Sequence, residues 1–327
     1  MTDERGRDYF DRAQLRMQSL CARVHDLDIA SIKPLHPVAV RREELKEVAR
    51  SIRDARERGS AVILMAGGHV IRAGVQRYLI DLLEKGYITC MAMNGAVMVH
   101  DFEFSLVGAT TESVAHYIRD GQFGLWKETS CINDIVNRAY REGGIGMGHA
   151  VGRAIAEGSY PHKDISVLAA CYRLGIPATV HVGIGYDIIH EHPNFDGAAA
   201  GALSYLDFLS FTRIVEHLEG GVLMNFGSAV MAPEIYLKAL SMARNVAAAR
   251  GDEIRHFATL VCDLYELPSD FRSEPDKKCA GYYFRPWKTM LVRTVADGGR
   301  SYYVRGDHAD TVPELWTALR ELATESK

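Results

Sequence analysis

AVILMAGGHVIRAG, residues Ala61 to Gly74, is the stretch that decides the fold. An apolar strand runs into the double glycine Gly67-Gly68 and then into a segment with helical spacing, the order in which open α/β sheets build a ligand crevice at a strand's carboxyl end. The device recurs. After Tyr87 the strand YITCMAM enters Asn94-Gly95-Ala96, and after Gly221 the strand GVLMNF enters Gly227-Ser228-Ala229. Small residues at strand ends let a ligand approach the backbone and leave helix N-terminal N–H groups free for phosphate. A dinucleotide or another phosphate-bearing ligand is therefore the first expectation.

The rest of the composition narrows the classes. A chain of 327 residues that is 47% hydrophobic has ample core for one large α/β domain or two smaller ones. Its net charge of -4 and pI near 6.4 give no basic field for nucleic acid. The first residues, MTDERGRDYFDR, are charged, and no run approaches the roughly 20 apolar residues that span a bilayer. A cytoplasmic protein with neither membrane nor nucleic-acid partner is expected. Cys21, Cys90, Cys131, Cys171, Cys262 and Cys279 stand apart with no C-x-x-C pair, so they read as reduced and mostly buried.

Organisation along the chain follows the same alternation. Residues 1–60 read as a helical lead-in, closed by a surface helix from Arg41 to Arg58 that ends at Gly59. Residues 61–327 read as a single domain. Its expected helices lie near Val70 to Lys85, Asp101 to Val107, Thr111 to Asp120, Ile165 to Leu174, Ser204 to Leu218 and from Pro313 onward. ATVHVGIG, the segment Phe257 to Tyr265, MLVRTV and SYYVRG read as further strands. Alternation of this kind implies a parallel sheet covered by helices on both faces. The glycine-rich REGGIGMG, residues 141–148, follows a helical stretch and no strand, which argues against a phosphate loop there.

Five segments, MAGGHVIRAG, MNGAVMVHDFE, IPATVHVGIGYD with its nearby FDG, MNFGSAVMAPEI, and the pair RPWK and RGDHADTVPEL, resemble the deoxyhypusine synthase family in order and spacing. The resemblance spans roughly Ala61 to Leu315 and implies a Rossmann-like, NAD-binding fold that assembles as a homotetramer. It places NAD contacts on Gly68, His69, Asn94, Gly95, Gly227, Ser228, Asp307 and His308. In that family NAD takes a hydride from the polyamine spermidine, and the lysine of a WGK motif accepts the aminobutyl group. Pro286-Trp287-Lys288 can be laid over that motif, which makes Lys288 the nucleophile candidate and Trp287 its aromatic neighbour.

Departures from the family are visible as well. Ala232-Pro233-Glu234 stands where the family has a histidine, and Val99-His100-Asp101 replaces its paired glutamates. The acids at strand ends suit a small cationic amine: His100 or Asp101 would move the proton, while Asp187, Asp196 and Glu234 would anchor the amine. Asp101 and Glu234 also fit the first turns of helices, and Asp307 fits a helix cap near Ala309. The expected activity is an NAD-dependent transferase or oxidoreductase acting on a polyamine-like amine. Two other readings remain open. One is a metal-assisted hydrolase built on Asp187, His190, His192 and Asp196, since His190-Glu191-His192 puts both rings on one side of an extended segment before Pro193. The other is a nucleotide-binding protein without catalysis.

Overall fold

The computed structural model of the chain describes residues 8–325. Six parallel strands form one sheet: β1 (Val62–Ala66), β2 (Cys90–Asn94), β3 (Ala178–His181), β4 (Val222–Phe226), β5 (Ala258–Asp263) and β6 (Arg300–Arg305). Their spatial order is β3-β2-β1-β4-β5-β6, so the direction of winding reverses between β1 and β4. That is the doubly wound, Rossmann-like α/β order, and its ligand crevice lies at the reversal. Every residue of β1 and of β4 is buried, as a strand covered on both faces must be.

Alternation along β1 feeds two apolar layers. Val62, Leu64 and Ala66 join one cluster, and Ile63 and Met65 join the other. The first cluster is closed by α1 (Glu43–Arg58), α2 (Gly68–Arg72), α3 (Gln76–Glu84), α4 (Gly95–Val107), α6 (Cys131–Glu142), α7 (Met147–Glu157), α8 (Val167–Leu174) and α11 (His308–Glu325). The second is closed by α10 (Met231–Arg250), by the C-terminal half of α9 (Gly197–Val215) and by the helical turn Trp287–Arg293. The short α5 (Val114–Tyr117) lies on the surface. No helix among the described residues is long and apolar enough to cross a membrane.

Several expectations are corrected by local chemistry. Among the described residues, 8–42 ahead of α1 form no α-helix. Asp11, Ser19 and Asp28 each accept a backbone N–H two residues on, which fixes isolated 3-10 turns at Arg12–Gln14, Leu20–Ala22 and Ile29–Ser31. Leu27–Asp28 pairs antiparallel with Ala109–Thr110. The helix expected from Val70 to Lys85 breaks at Gly74, whose φ of 72° and whose approach to the Ser31 carbonyl exclude a side chain. α4 begins at Gly95 rather than Asp101, because Asn94 Oδ1 accepts the Val97 N–H at 3.1 Å and starts it there. Likewise Asp196 starts α9 before Ser204, and Asp307 starts α11 before Pro313. MLVRTV, read as a strand, begins inside the helical turn Trp287–Arg293 and leaves it at Thr294, with Trp287, Met290, Leu291 and Val295 buried in the second cluster.

Candidate active site at the carboxyl ends of the sheet

Each glycine corner sits where a neighbouring protein group comes close. A Cβ on Gly67 would lie 2.1 Å from the Gly227 carbonyl oxygen, one on Gly95 2.1 Å from Asp187 Oδ2, and one on Gly227 2.4 Å from His308 Nε2. The missing side chains thus admit other parts of the protein, and two of those parts are chemically competent side chains. Cavities open on either side of the reversal. One, about 290 Å³, lies beyond β2 and β3 and is bordered by Arg23, Arg72, His100, Glu103, Thr111 and Asp187. The other, about 400 Å³, lies beyond β4 to β6 and is bordered by His69, Arg72, Gly227, Asp263, Asp307 and His308. Arg72, exposed at the end of α2, faces both.

Asp187 follows β3 on a glycine-containing loop. Its carboxyl is half-buried, its Oδ2 has no hydrogen-bond partner among the described residues, and burial pushes its pKa up to about 6. His100 reaches the same cavity from α4, with Nδ1 2.9 Å from Thr110 Oγ1. Burial brings it down to about 4, so it is a neutral imidazole at ordinary pH. Glu103, one turn further along α4, is buried with Arg23 in a two-bond ion pair at 3.0 and 2.6 Å and also accepts from Thr110 and Thr129. Burial pushes Glu103 up, but the Arg23 charge and these bonds outweigh it and hold the carboxylate below its usual range.

Thr111 borders this cavity with a φ of 63°, the left-handed region that a β-branched residue avoids. The Asp26 N–H donates to its carbonyl at 3.1 Å, next to the Leu27–Asp28 ladder, and these bonds hold the strained residue. In the second cavity His308 is buried with its ring centroid 5.9 Å from that of Phe226, and its Nδ1 has no partner among the described residues. Burial lowers its pKa.

The sequence-derived candidates divide cleanly. His100 and Asp187 share the first cavity; His69, Gly227, Asp307 and His308 share the second. Gly68 packs on Ala96 and the His100 ring, and Gly95 on Asp187. Asn94 caps α4, and Ser228 Oγ accepts the Ala232 N–H at 3.1 Å. Asp307 accepts the Ala309 N–H at 3.0 Å, so it caps α11 as well as facing the crevice.

Others stand elsewhere. Asp101 is buried under the N-terminus of α8, where it accepts from the Ser166 hydroxyl and the Val167 and Leu168 N–H groups. Its carboxylate is engaged in capping and does not face the crevice. Lys288 is buried with its ammonium 3.5 Å from the Tyr282 ring centroid, and it borders neither cavity. Trp287 donates its indole N–H to the Phe271 carbonyl at 2.7 Å. Glu234 pairs with Lys238 and Arg285, and Asp196 caps α9. His190 Nδ1 accepts backbone N–H groups, and His192 Nε2 meets the Gly124 carbonyl at 2.7 Å. Among the described residues no group of three His, Cys, Asp or Glu side chains is placed to hold a metal, so the four residues of the hydrolase reading do not converge.

Sequence reading missed Arg23, Arg72, Thr111 and Glu112. Arg72 lies inside the opening stretch, one helical turn past the double glycine, and that spacing could have marked it. Arg23 carries no local signal, because only the path of the N-terminal segment across α4 brings it there.

A family model described as arginine dihydrolase ArgZ-like, C-terminal, Rossmann fold, matches residues 46–166. The bifunctional arginine dihydrolase/ornithine cyclodeaminase AgrE of Nostoc sp. (strain PCC 7120 / SAG 25.82 / UTEX 2576) is 35% identical over 72 residues, which cover 21% of this chain and 10% of AgrE. Among solved structures, apo ArgZ, an arginine dihydrolase from the ornithine-ammonia cycle in cyanobacteria, is similar with a TM-score of 0.51 and 17% identity, over 87% of this chain and 34% of that one. The ternary complex of AgrE with ornithine and NAD+ gives 0.51 and 16%, over 90% and 35%. A conserved putative LOR/SDH protein from Methanococcus maripaludis S2 gives 0.51 and 16%, over 89% and 74%. This chain therefore spans about a third of the ArgZ and AgrE chains, and the likeness to solved structures is one of fold. The family whose model matches differs from the deoxyhypusine synthases that the five motifs resemble, and the narrower resemblance is not supported.

Proposed function

We propose that the chain is an NAD-dependent enzyme that moves a hydride at the amine-bearing carbon of a small amino acid. The observation that carries this reading is Asp187: a half-buried carboxylate with an unpartnered oxygen, in a cavity beside the reversal of the sheet. The AgrE complex with ornithine and NAD+, a neighbour in fold, pairs a dinucleotide with an amino acid and supports the same combination.

The residues have distinct work. His69, Asp307 and His308 would hold the dinucleotide, and the unpartnered buried Nδ1 of His308 is the polar group that fits one. Bound NAD supplies hydride acceptance. An ammonium must lose a proton before its carbon can give up a hydride, and ionised Asp187 is the base positioned to take it. The Arg72 guanidinium, exposed between the cavities, would pair with the substrate carboxylate. Neutral His100, fixed through Thr110, offers hydrogen bonding without a competing positive charge. A homo-oligomer is part of the proposal, and sedimentation equilibrium measures it.

The test is a titration of the purified protein with NAD, followed by a panel of amines and amino acids monitored through nicotinamide absorbance. Asp187→Asn is expected to keep NAD binding and lose turnover. Absence of NAD binding, or equal turnover in Asp187→Asn, would refute the proposal.

A further inference from the structure

We propose that His190 is a positioning residue, whose neutral imidazole pins the loop that carries Asp187 to the rim of the first cavity. The inference rests on the role given to Asp187 above. The loop runs from Val182 to Asp187 with glycines at 183 and 185, and Gly185 has a φ of 91°. Its tip packs on little, since Ile184 is 58% and Tyr186 79% exposed. At its base the Val182 N–H donates to Ser204 Oγ at 3.1 Å, and within it the Tyr186 N–H closes a turn on the Gly183 carbonyl. Two further anchors converge on one atom: the Gly185 and Asp187 N–H groups both donate to His190 Nδ1, at 3.1 and 3.2 Å, while the His190 N–H returns to the Asp187 carbonyl at 3.0 Å and to the Asp187 side chain in a capping box.

One nitrogen lone pair thus holds the loop in a three-centre bond. The arrangement requires the Nε2–H tautomer, because an imidazolium carries a proton on Nδ1 and accepts nothing there. The ring is oriented by Phe195, with centroids 4.6 Å apart. Titratable and charged groups around it are His192 and Glu191 in the same turn, Asp187 on the loop, and Arg12 of the N-terminal segment. Arg12 donates to the Phe195 carbonyl at 2.7 Å. Burial first, and His192 second, lower the His190 pKa and so favour the accepting form. Protonation of the ring would release the Gly185 and Asp187 N–H groups together, leaving Asp187 tied to the turn only through the His190 backbone N–H and loosening its place against Gly95. The His-x-His pattern that suggested a metal is thereby explained as two loop fastenings, the second being His192 on the Gly124 carbonyl.

The experiment uses the full chain labelled with nitrogen-15, comparing wild type, His190→Asn and His190→Ala. Imidazole correlation spectra should show His190 with Nδ1 unprotonated at neutral pH; an Nδ1–H tautomer overturns the proposal. Exchange protection of the Gly185 and Asp187 amides should fall as the ring protonates. It should lose this pH dependence in His190→Asn, whose side-chain oxygen replaces Nδ1 without titrating, and should be absent in His190→Ala at every pH. Equal protection in His190→Ala and wild type overturns it. On an identified substrate, kcat/KM should drop roughly tenfold or more in His190→Ala and be rescued by His190→Asn. Because the exchange and tautomer measurements need no substrate, a failed amine panel would count against the proposed function while these data still decide the role of His190.

Discussion

Gly95→Ala is the most informative single change, because it moves Asp187 without altering the carboxylate. A methyl at Gly95 would stand 2.1 Å from Asp187 Oδ2, 2.5 Å from its Cγ and 2.8 Å from Oδ1, whereas ordinary contact begins near 3.4 Å. The nearer oxygen must therefore retreat by 3.4 − 2.1 = 1.3 Å. A displacement of about 1 Å at a reacting group costs on the order of 10²-fold in rate, or about 2.7 kcal/mol of transition-state stabilisation. The backbone itself accepts alanine: Gly95 is the first residue of α4 and is not among the glycines with positive φ. Alanine is a better helix former by about 1 kcal/mol in helix interiors, so the helix backbone gives no reason for the fold to weaken. The assay is kcat/KM for NAD reduction on the best amine of the panel, with the NAD dissociation constant and Tm measured alongside. The expected pattern is a hundredfold-scale loss in kcat/KM with NAD affinity and Tm near wild type. In an Asp187→Asn background the same substitution should add little, since the group it displaces has already lost its function. Wild-type kcat/KM in Gly95→Ala, or an equal loss in both backgrounds, would refute the reasoning.

Other outcomes follow from the same geometry. Arg23→Met strands Glu103, with both side chains of the pair only 1% exposed, and should cost about 3–5 kcal/mol in urea unfolding, partly restored by Glu103→Gln; a negligible change would remove the pair from the stability of the fold. Because the folded Asp187 carboxyl titrates near 6 and must be ionised to take a proton, kcat/KM should level off above that pH and fall as pH drops through it. A pH–rate profile level down to about pH 5 would contradict this role. Lys288→Met should leave NAD reduction at the wild-type level, since Lys288 borders neither cavity; loss of turnover with the fold and NAD binding intact would restore it to the mechanism.

The sheet was legible because a strand buried on both faces writes itself as an unbroken apolar run. VILMA reads that way throughout, and CMAMN and VLMNF do so apart from Asn94 and Asn225, while the glycines after the strands mark the crevice end. MLVRTV was misread because its β-branched residues suggest a strand. The wider spacing of Trp287, Met290, Leu291 and Val295 is helical, and burial against the second cluster decides between the two. Acids were harder to sort. Asp101, Asp196 and Asp307 all satisfy helix N-terminal N–H groups, and only Asp307 also faces a cavity. Sequence shows that an acid is near a helix start; it does not show whether the helix consumes both of its oxygens. Arg23 and Thr111 were invisible for a different reason, since each owes its place to an N-terminal segment with no regular periodicity.

The glycine corners carry a lesson about what small residues signify at the rim of a parallel sheet. Their absence of side chains was read as room for phosphate, yet the volume of each missing Cβ at Gly95 and Gly227 is taken by Asp187 and His308. The same pattern in sequence therefore brings titratable side chains against strand ends, with a chemical consequence for Asp187. Pressed onto the first turn of α4, it meets two opposing influences: burial disfavours its charge, while the positive end of the helix favours it. Burial prevails, and the group titrates near 6 rather than near 4. A carboxylate in that range is ionised at neutral pH but holds a captured proton more firmly than an exposed aspartate would. A base that must take a proton from an ammonium before hydride transfer, and return one when the reaction runs backward, works best there. Under the proposed function, Gly95 would act as a positioning residue through the side chain it admits.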